Sequence, residues 1–322
     1  MTIKRWATAL ALAGMAGCAF AQAWPSAKPI RLIVGYPPGG GIDFAARTVQ
    51  VPLQEALGQQ IVMDYKPGAS GMIAAAELTR AAPDGYTLLL ANTGPFAIAP
   101  YLQSKKPYDP LTQFTYIGQI SQGSYIAATR PDHPARNLKE WVEWAKANAG
   151  KVNFASSGAG TSTHLNGELM NQATGLNVTH VPYKGSAPAI QDLIGGQTQL
   201  LIDAGSALLP QVKGGKLKAL AVTGPKRDPQ LPDVPTAREL GLGAMEAVGF
   251  QGLVAPAGLP QAITDRLAAE LAKVLAQPEV KAKFASAGAE VHPLGPVEFA
   301  AFVKADNEKW ARLIRERKLQ LD

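Results

Sequence analysis

The chain has 322 residues, 47% hydrophobic and 17% charged, so it is long and apolar enough to bury a sizeable core and to divide into two domains. That balance excludes a disordered chain. The formal charge of +6 is mild and dispersed; it lacks the clustered basic face of a nucleic-acid binder and implies only weak steering of anionic solutes.

From the N-terminus, Lys4 and Arg5 precede an apolar run, Trp6 to Gly17, and Ala19-Phe20-Ala21 forms a small-x-small cleavage pattern. This predicts a secretory signal peptide over residues 1–21 and a mature chain from Gln22. The run falls short of the ~20 residues that span a bilayer, which makes a membrane anchor the weaker reading. Cys18 is the only cysteine and precedes the cut, so the mature protein has neither a disulfide nor a thiol nucleophile. Met15-Ala16-Gly17-Cys18 loosely resembles a lipoprotein cleavage box, which keeps lipid anchoring at Cys18 open as an alternative. Without Lys4 and Arg5, 29 basic residues face 25 acidic ones, a net of +4. No later apolar stretch reaches membrane-spanning length, so export predicts a periplasmic location and argues against most nucleotide-dependent chemistry.

Strand-like runs then alternate with helical patterns. Ile30 to Tyr36, Ile61 to Tyr65 and Tyr86 to Asn92 are each followed by a turn and a helix, an order that implies a parallel sheet with helices on both faces. The rhythm restarts with Val152 to Ser156, Val178 to Val181, Gln199 to Asp203 and Leu217 to Thr223, separated by helical stretches such as Ala187 to Gly195. Two further apolar runs, Tyr125 to Thr129 and Gly249 to Ala255, carry the chain between the units and form a hinge. The expected organisation is residues 22–124 plus 250–322 as one domain and 125–249 as the other. From Pro260 to Lys318 the pattern is helical: Leu267, Leu271, Val274 and Leu275 form one stripe, and Phe299, Phe302, Trp310 and Ile314 another. This tail is expected to pack back onto the first domain.

In an open parallel sheet, ligands bind beyond the carboxyl ends of the strands. The first such loop, Gly35 to Asp43, holds three successive glycines, Gly39 to Gly41, at a helix start, where free N–H groups attract anions. No Lys-Ser/Thr pair follows, so it is not a P-loop, and Asp43 either touches a ligand or caps the helix. Lys66 to Gly71 has the same placement; its Ser70 contacts a ligand or caps the next helix, and the spacing of a nucleophile elbow is missing. Asn92-Thr93-Gly94 follows the strongest strand. In the second unit, Ser156 to His164 ends a strand with hydroxyls able to meet a carboxylate, while Thr163 stands where a dinucleotide fingerprint needs glycine. His164 contacts a ligand or makes a structural bond. Asp203 ends another strand and either receives a ligand amine or hydroxyl or caps the helix near Ser206; Tyr183 is a cleft wall or an ordinary packed aromatic.

Enzymatic constellations fail. His133, His164, His180 and His292 show no metal-ligand spacing, and no serine elbow announces a nucleophile.

These loops, in this order, resemble the Bug family, the extracytoplasmic solute receptors of tripartite tricarboxylate transporters. The matching segments are Tyr36 to Asp43, Lys66 to Gly71, Pro83 to Tyr86, Gly158 to Leu165, Val181 to Gly185, Leu231 to Thr236 and Gly252 to Gly258. The resemblance implies an α/β, type II periplasmic-binding-protein fold, two α/β domains joined by two crossover strands that close on a solute. It implies a periplasmic receptor that is not an enzyme, needs no cofactor or metal, binds no nucleic acid, acts as a monomer and delivers a small organic carboxylate, whether a di- or tricarboxylate, an acidic amino acid or an aromatic acid, to transporter membrane subunits. Carried over, the ligand-binding positions are Tyr36, Gly40, Gly41, Asp43, Ser70 and Thr93 on one wall and Ser157, Thr161, Ser162, His164 and Asp203 on the other. Ile42 stands where a small hydroxyl residue is common, Ser70 where glycine is usual, and Ala204-Gly205 where a polar residue often follows the aspartate; these departures bear on ligand type. A co-receptor for a membrane sensor kinase is the alternative reading, and an exported serine hydrolase a lesser one.

Overall fold

The computed structural model describes residues 24–320; the predicted signal peptide and Cys18 lie outside the described residues. Two sheets share one long strand. In the first, β1 (Ile30–Val34), β2 (Ile61–Tyr65) and β3 (Thr87–Asn92) run parallel in the order β2-β1-β3. The antiparallel strand β9 (Val248–Pro256) then pairs with β3 and with the first part of β4 (Phe114–Thr129). In the second sheet, β6 (Thr179–Pro182), β5 (Asn153–Ser156) and β7 (Leu200–Ala204) are parallel, and β7 and β8 (Lys218–Val222) both pair antiparallel with the end of β4. β4 pairs with β9 through Ser124 and with β7 from Tyr125, so the chain passes from one sheet to the other between adjacent residues.

Strand periodicity sorts the core. Ile30, Leu32 and Val34 pack with Leu88 and Leu90 under α1 (Gly41–Leu57), α7 (Gln261–Ala276) and α8 (Pro278–Ser286). Ile33, Leu89 and Ala91 point the other way, onto α2 (Met72–Leu78) and α9 (Pro296–Arg317), as the period of two requires. The second sheet is likewise covered twice. Ala155 and Leu201 meet α5 (Ser186–Ile194) and α6 (Gly205–Lys213), whereas Phe154, Leu200 and Ile202 meet α3 (Leu138–Ala147) and α4 (Ser162–Thr174).

Two features depart from the sequence reading. β4 spans 16 residues, beginning well before Tyr125. The tail is not helical throughout: after α8, Gly288 turns the chain at φ +69° and β10 (Glu290–Leu294) joins the free side of β4, pairing Glu290 with Gln122 and Val291 with Ser121. Pro293 suits this edge strand and would break a helix. The last helix also reaches beyond the first unit: Arg317 pairs with Glu168 on α4 at 2.8 Å.

Candidate ligand-binding site

Where β4 and β9 cross lies a cavity of about 120 Å³. Its floor is formed by the two strands, Ser121 to Tyr125 from β4 and Gly249 to Gln251 from β9. The first unit contributes Ile42 at the start of α1, Asn92 and Thr93 beyond β3, and the Gly288-Ala289 turn; the second contributes Ser162 at the start of α4 and Ala204 to Ser206 at the start of α6. Among the described residues, no Lys, Arg, His, Asp or Glu lines it.

Three helices therefore begin at this cavity. Helix starts leave N–H groups without intrahelical partners and carry partial positive charge. At α1 and α6 the residues before the first turn, Gly40 and Ala204, provide no side-chain cap. At α4 the cap is Thr161, whose Oγ1 accepts from the His164 N–H. An anionic group here meets backbone donors and dipoles in place of a cationic side chain, each helix end contributing about 0.3–1 kcal/mol, up to ~2 when partly buried.

A polar frame fixes the walls. The Ser121 hydroxyl donates to Gln251 Oε1 at 2.8 Å, and Gln251 Nε2 donates to the Gly41 carbonyl at 3.2 Å, tying the strand crossing to the start of α1. Thr93 Oγ1 accepts from the Phe250 N–H at 3.1 Å. Tyr125 is buried at the centre, with the hydroxyls of Ser162 and Thr93 as partners; burial raises its phenol far above the ordinary range, so it remains a neutral donor. Gly249 makes room for that ring: a Cβ there would stand 2.7 Å from the Tyr125 Oη.

The two units touch around the cavity. Ser70 Oγ donates to the Ala159 carbonyl at 3.4 Å, and a Cβ on Gly41 would lie 3.0 Å from Ser206 Oγ. Ser70 and Ala69 hold this loop at φ of 54° and 45°, left-handed values that cost non-glycine residues about 1–2 kcal/mol each. Strain of this kind concentrates where the surrounding structure dictates the backbone. Glycine at 70 adopts that conformation freely, which gives the Ser70 departure a physical meaning.

Residues 45–319 match the family model described as tripartite tricarboxylate transporter family receptor. The chain belongs to this family. BugT of Bordetella pertussis is 33% identical over 308 residues, covering 95% of this chain and 94% of BugT. Among solved structures, MatC of Rhodopseudomonas palustris with bound malate is 30% identical with a TM-score of 0.82, over 90% of this chain and 99% of that one. The R. palustris protein Rpa4515 with adipate is 31% identical with a TM-score of 0.84, over 91% and 97%. Members of this receptor family bind solutes and are not enzymes, and the fold is that of periplasmic binding proteins of the Bug type. Among the described residues no helix is long and apolar enough to cross a membrane.

Within this receptor, the positions singled out from sequence fall into two groups. Thr93 and Ser162 line the cavity, and Gly41 joins it through the carbonyl held by Gln251. The remainder build the surrounding shell. The Tyr36 hydroxyl donates to the Ser70 carbonyl at 2.9 Å and accepts from Asn92 Nδ2 at 3.3 Å, and burial pushes it up to about 12. Gly40 is the exposed cap of α1. Asp43 is spent on its own loop, accepting from the Gly39 N–H at 2.8 Å, Arg47 Nε at 2.9 Å and the Tyr65 hydroxyl. Burial alone would raise its carboxyl, but these bonds outweigh it and hold the group below the usual range.

In the second unit the hydroxyl loop binds itself. Ser157 Oγ and Thr163 Oγ1 are 2.9 Å apart, Thr161 Oγ1 donates to the Gly158 carbonyl at 2.6 Å, and Thr163 Oγ1 accepts from the Ser157 N–H at 2.8 Å. His164 takes a structural bond, its Nδ1 accepting from the Gly160 N–H at 3.2 Å. Its ring stacks on His180 at 3.9 Å, and His180 stacks on Phe154 at 5.0 Å and meets Ser156 Oγ at 2.6 Å. Burial pushes both imidazoles down to about 4, so they are neutral. Asp203 is buried behind the start of α6; its Oδ1 accepts from the Ala204 N–H at 2.7 Å, and burial pushes it up to about 6. Tyr183 gives its hydroxyl to Asp192 at 2.7 Å and forms no part of the cavity wall.

Sequence reasoning missed the floor. Ser121-Gln122-Gly123-Ser124 interrupts β4 with small polar residues between Ile120 and Tyr125, and Gly249 and Gln251 do the same in β9. Polar interruptions in the middle of otherwise apolar crossing strands were the available signal.

Proposed function

We propose that this receptor captures a small organic carboxylate in the cavity between its units and delivers it to the membrane subunits of a tripartite tricarboxylate transporter. The observation that carries this reading is the convergence of three helix starts on a cavity that, among the described residues, no charged side chain lines. One carboxylate sits against the starts of α1, α4 and α6, contacting Thr93, Ser162, Ser206 and nearby backbone N–H groups. The malate and adipate held by similar receptors support the solute class.

Residues 24–124 with 250–320, and residues 125–249, act as two domains hinged on β4 and β9 that close over the solute. The Ser70–Ala159 and Gly41–Ser206 contacts support a closed arrangement of these domains. The mature protein works in the periplasm as a monomer, after removal of the signal peptide.

The test is a thermal-shift screen of mono-, di- and tricarboxylates followed by calorimetry on each hit. A ligand at about 100 times its Kd stabilises the folded form by ~2.7 kcal/mol, a shift of several degrees. If no organic acid, acidic amino acids included, raises the melting temperature while sugars or basic amino acids do, the proposed solute class is wrong.

A further inference from the structure

We propose that the second unit carries a separate binding site for a small carboxylate with a flat apolar body, at the pole opposite the cleft. The site is a cavity of about 240 Å³ beyond the end of β4, larger than the cleft cavity of about 120 Å³. Its position follows from strand direction. β5 and β7 end at Ser156 and Ala204 on the cleft side, and the pole cavity lies at their beginnings, next to Gln199 and Lys151. A strand of four or five residues, roughly 13–17 Å, separates the two sites.

His133 supplies the donor. Its Nδ1 accepts from the Ala135 N–H at 3.1 Å, so the neutral ring carries its proton on Nε2. Burial, with Lys218 and Arg130 adding repulsion, holds the imidazole below its ordinary value and hence neutral. Nε2 is buried and has no hydrogen-bond partner in a residue only 6% exposed. A buried donor without an acceptor is uncommon and costs ~1–3 kcal/mol; His133 borders the cavity, and a bound carboxylate that draws the ring toward it removes that cost.

Arg130 and Lys151 line the same cavity and supply charge. Arg130 has a single loose ion pair, to Asp132 at 3.5 Å, and Lys151 forms none among the described residues. The end of α3 also borders the cavity, and its partial negative charge opposes an anion. That opposition is blunted, because the Trp144 carbonyl already accepts from Asn148 Nδ2 at 2.9 Å and from the Asn148 N–H at 3.1 Å. Trp144 forms an apolar wall, edge-on to His133 at 4.4 Å. One neutral N–H, two cations against the single exposed carboxylate of Asp132, and an aromatic wall fit a singly charged carboxylate on a flat body better than inorganic phosphate.

Benzoate is the probe, with inorganic phosphate as the comparison, titrated into ¹⁵N-labelled protein and followed by NMR. The Trp144 indole and the amides of Arg130, Asp132, His133 and Ala135 are expected to shift together on one isotherm. The surface double variant R130Q/K151M is expected to weaken that isotherm at least tenfold while keeping the melting temperature of the parent. Shifts confined to the cleft residues Ser121 to Tyr125, or an isotherm unchanged in the double variant, overturn the proposal. So does phosphate matching benzoate in both pattern and affinity.

Discussion

Gly205 offers the sharpest test of closure. It begins α6, and a Cβ built on it would stand 2.9 Å from the Gly288 carbonyl oxygen, on the turn that leads into β10 of the first unit. Ordinary van der Waals contact begins near 3.4 Å, and the opposing atom is backbone, so Gly205→Ala forces the units apart by about half an ångström. The clash exists only where the units meet. Overpacking of this size costs ~1–3 kcal/mol, so the variant should bind its carboxylate about 5- to 150-fold more weakly. With the units apart the methyl is harmless, since Gly205 has no left-handed φ and alanine favours the helix by up to ~1 kcal/mol. The expected result is a split: calorimetric Kd raised, unliganded melting temperature equal to or above that of the parent. A Kd within twofold of the parent refutes the reasoning. A lowered melting temperature with unchanged Kd shows instead that the Gly205–Gly288 contact is permanent packing.

Three further outcomes follow from the site. Ser70→Gly should be about 1 kcal/mol more stable than Ser70→Ala in urea unfolding, because only glycine relieves the φ of 54°; equal stabilities would remove the strain argument. For Asp203, a folded value of about 6 against 3.8 means that both states are protonated below pH 4 and only the unfolded state ionises between 4 and 6. Its burial therefore costs stability that grows across that window to about 3 kcal/mol above pH 6. Asp203→Asn should gain progressively as pH rises from 4 to 6 and then level off; a gain independent of pH contradicts this. Finally, a cavity without cationic side chains should hold its acid with a Kd that changes less than about threefold between 50 and 500 mM salt. A steep loss would implicate a lysine or arginine.

The sequence disclosed the strands and helices well, because their apolar spacing is set by burial on two faces: Ile61–Tyr65 is read with its observed bounds, and Leu88 to Ala91 shows the alternation plainly. It disclosed the loops beyond the strands for the same reason, since glycine and hydroxyl clusters mark strand-to-helix turns. It did not disclose which side chains look inward. Ser157 and Thr161 read as donors to a ligand; short hydroxyl side chains bond readily to neighbouring backbone and to one another, and in the structure these two bond to the Gly158 carbonyl and to Thr163. Asp43 is absorbed by Arg47 one helical turn on and by Tyr65 on the neighbouring strand, a partner 22 residues away that spacing does not reveal. The floor was hidden because β4 and β9 meet only through sheet pairing, Gln122 opposite Phe250 and Ser121 opposite Gln251. β10 was hidden by the strength of the helical stripes on either side of it.

The crossing strands are not the only link between the units. One core cluster runs from Ile33 and Phe96 in the first unit, through Phe299 and Trp310 of α9, to Leu169 and Met170 of α4 in the second. α9 is pinned at several points along this path: Asn307 Nδ2 donates to the Phe96 carbonyl at 2.7 Å, Lys309 donates to the Glu246 carbonyl, and Arg317 pairs with the buried Glu168. A rigid rotation about β4 and β9 therefore cannot be free, since it would shear a packed interface that includes a desolvated carboxylate, and such pairs are costly to break. The motion compatible with these contacts keeps the axis close to α9 and moves the loops on the far side of the cavity most. Those loops are the ones holding Ser70 against Ala159 and Gly41 against Ser206. If the units close on a solute as proposed, the start of α4 at Ser162 is expected to act as the fixed jaw while the starts of α1 and α6 approach each other.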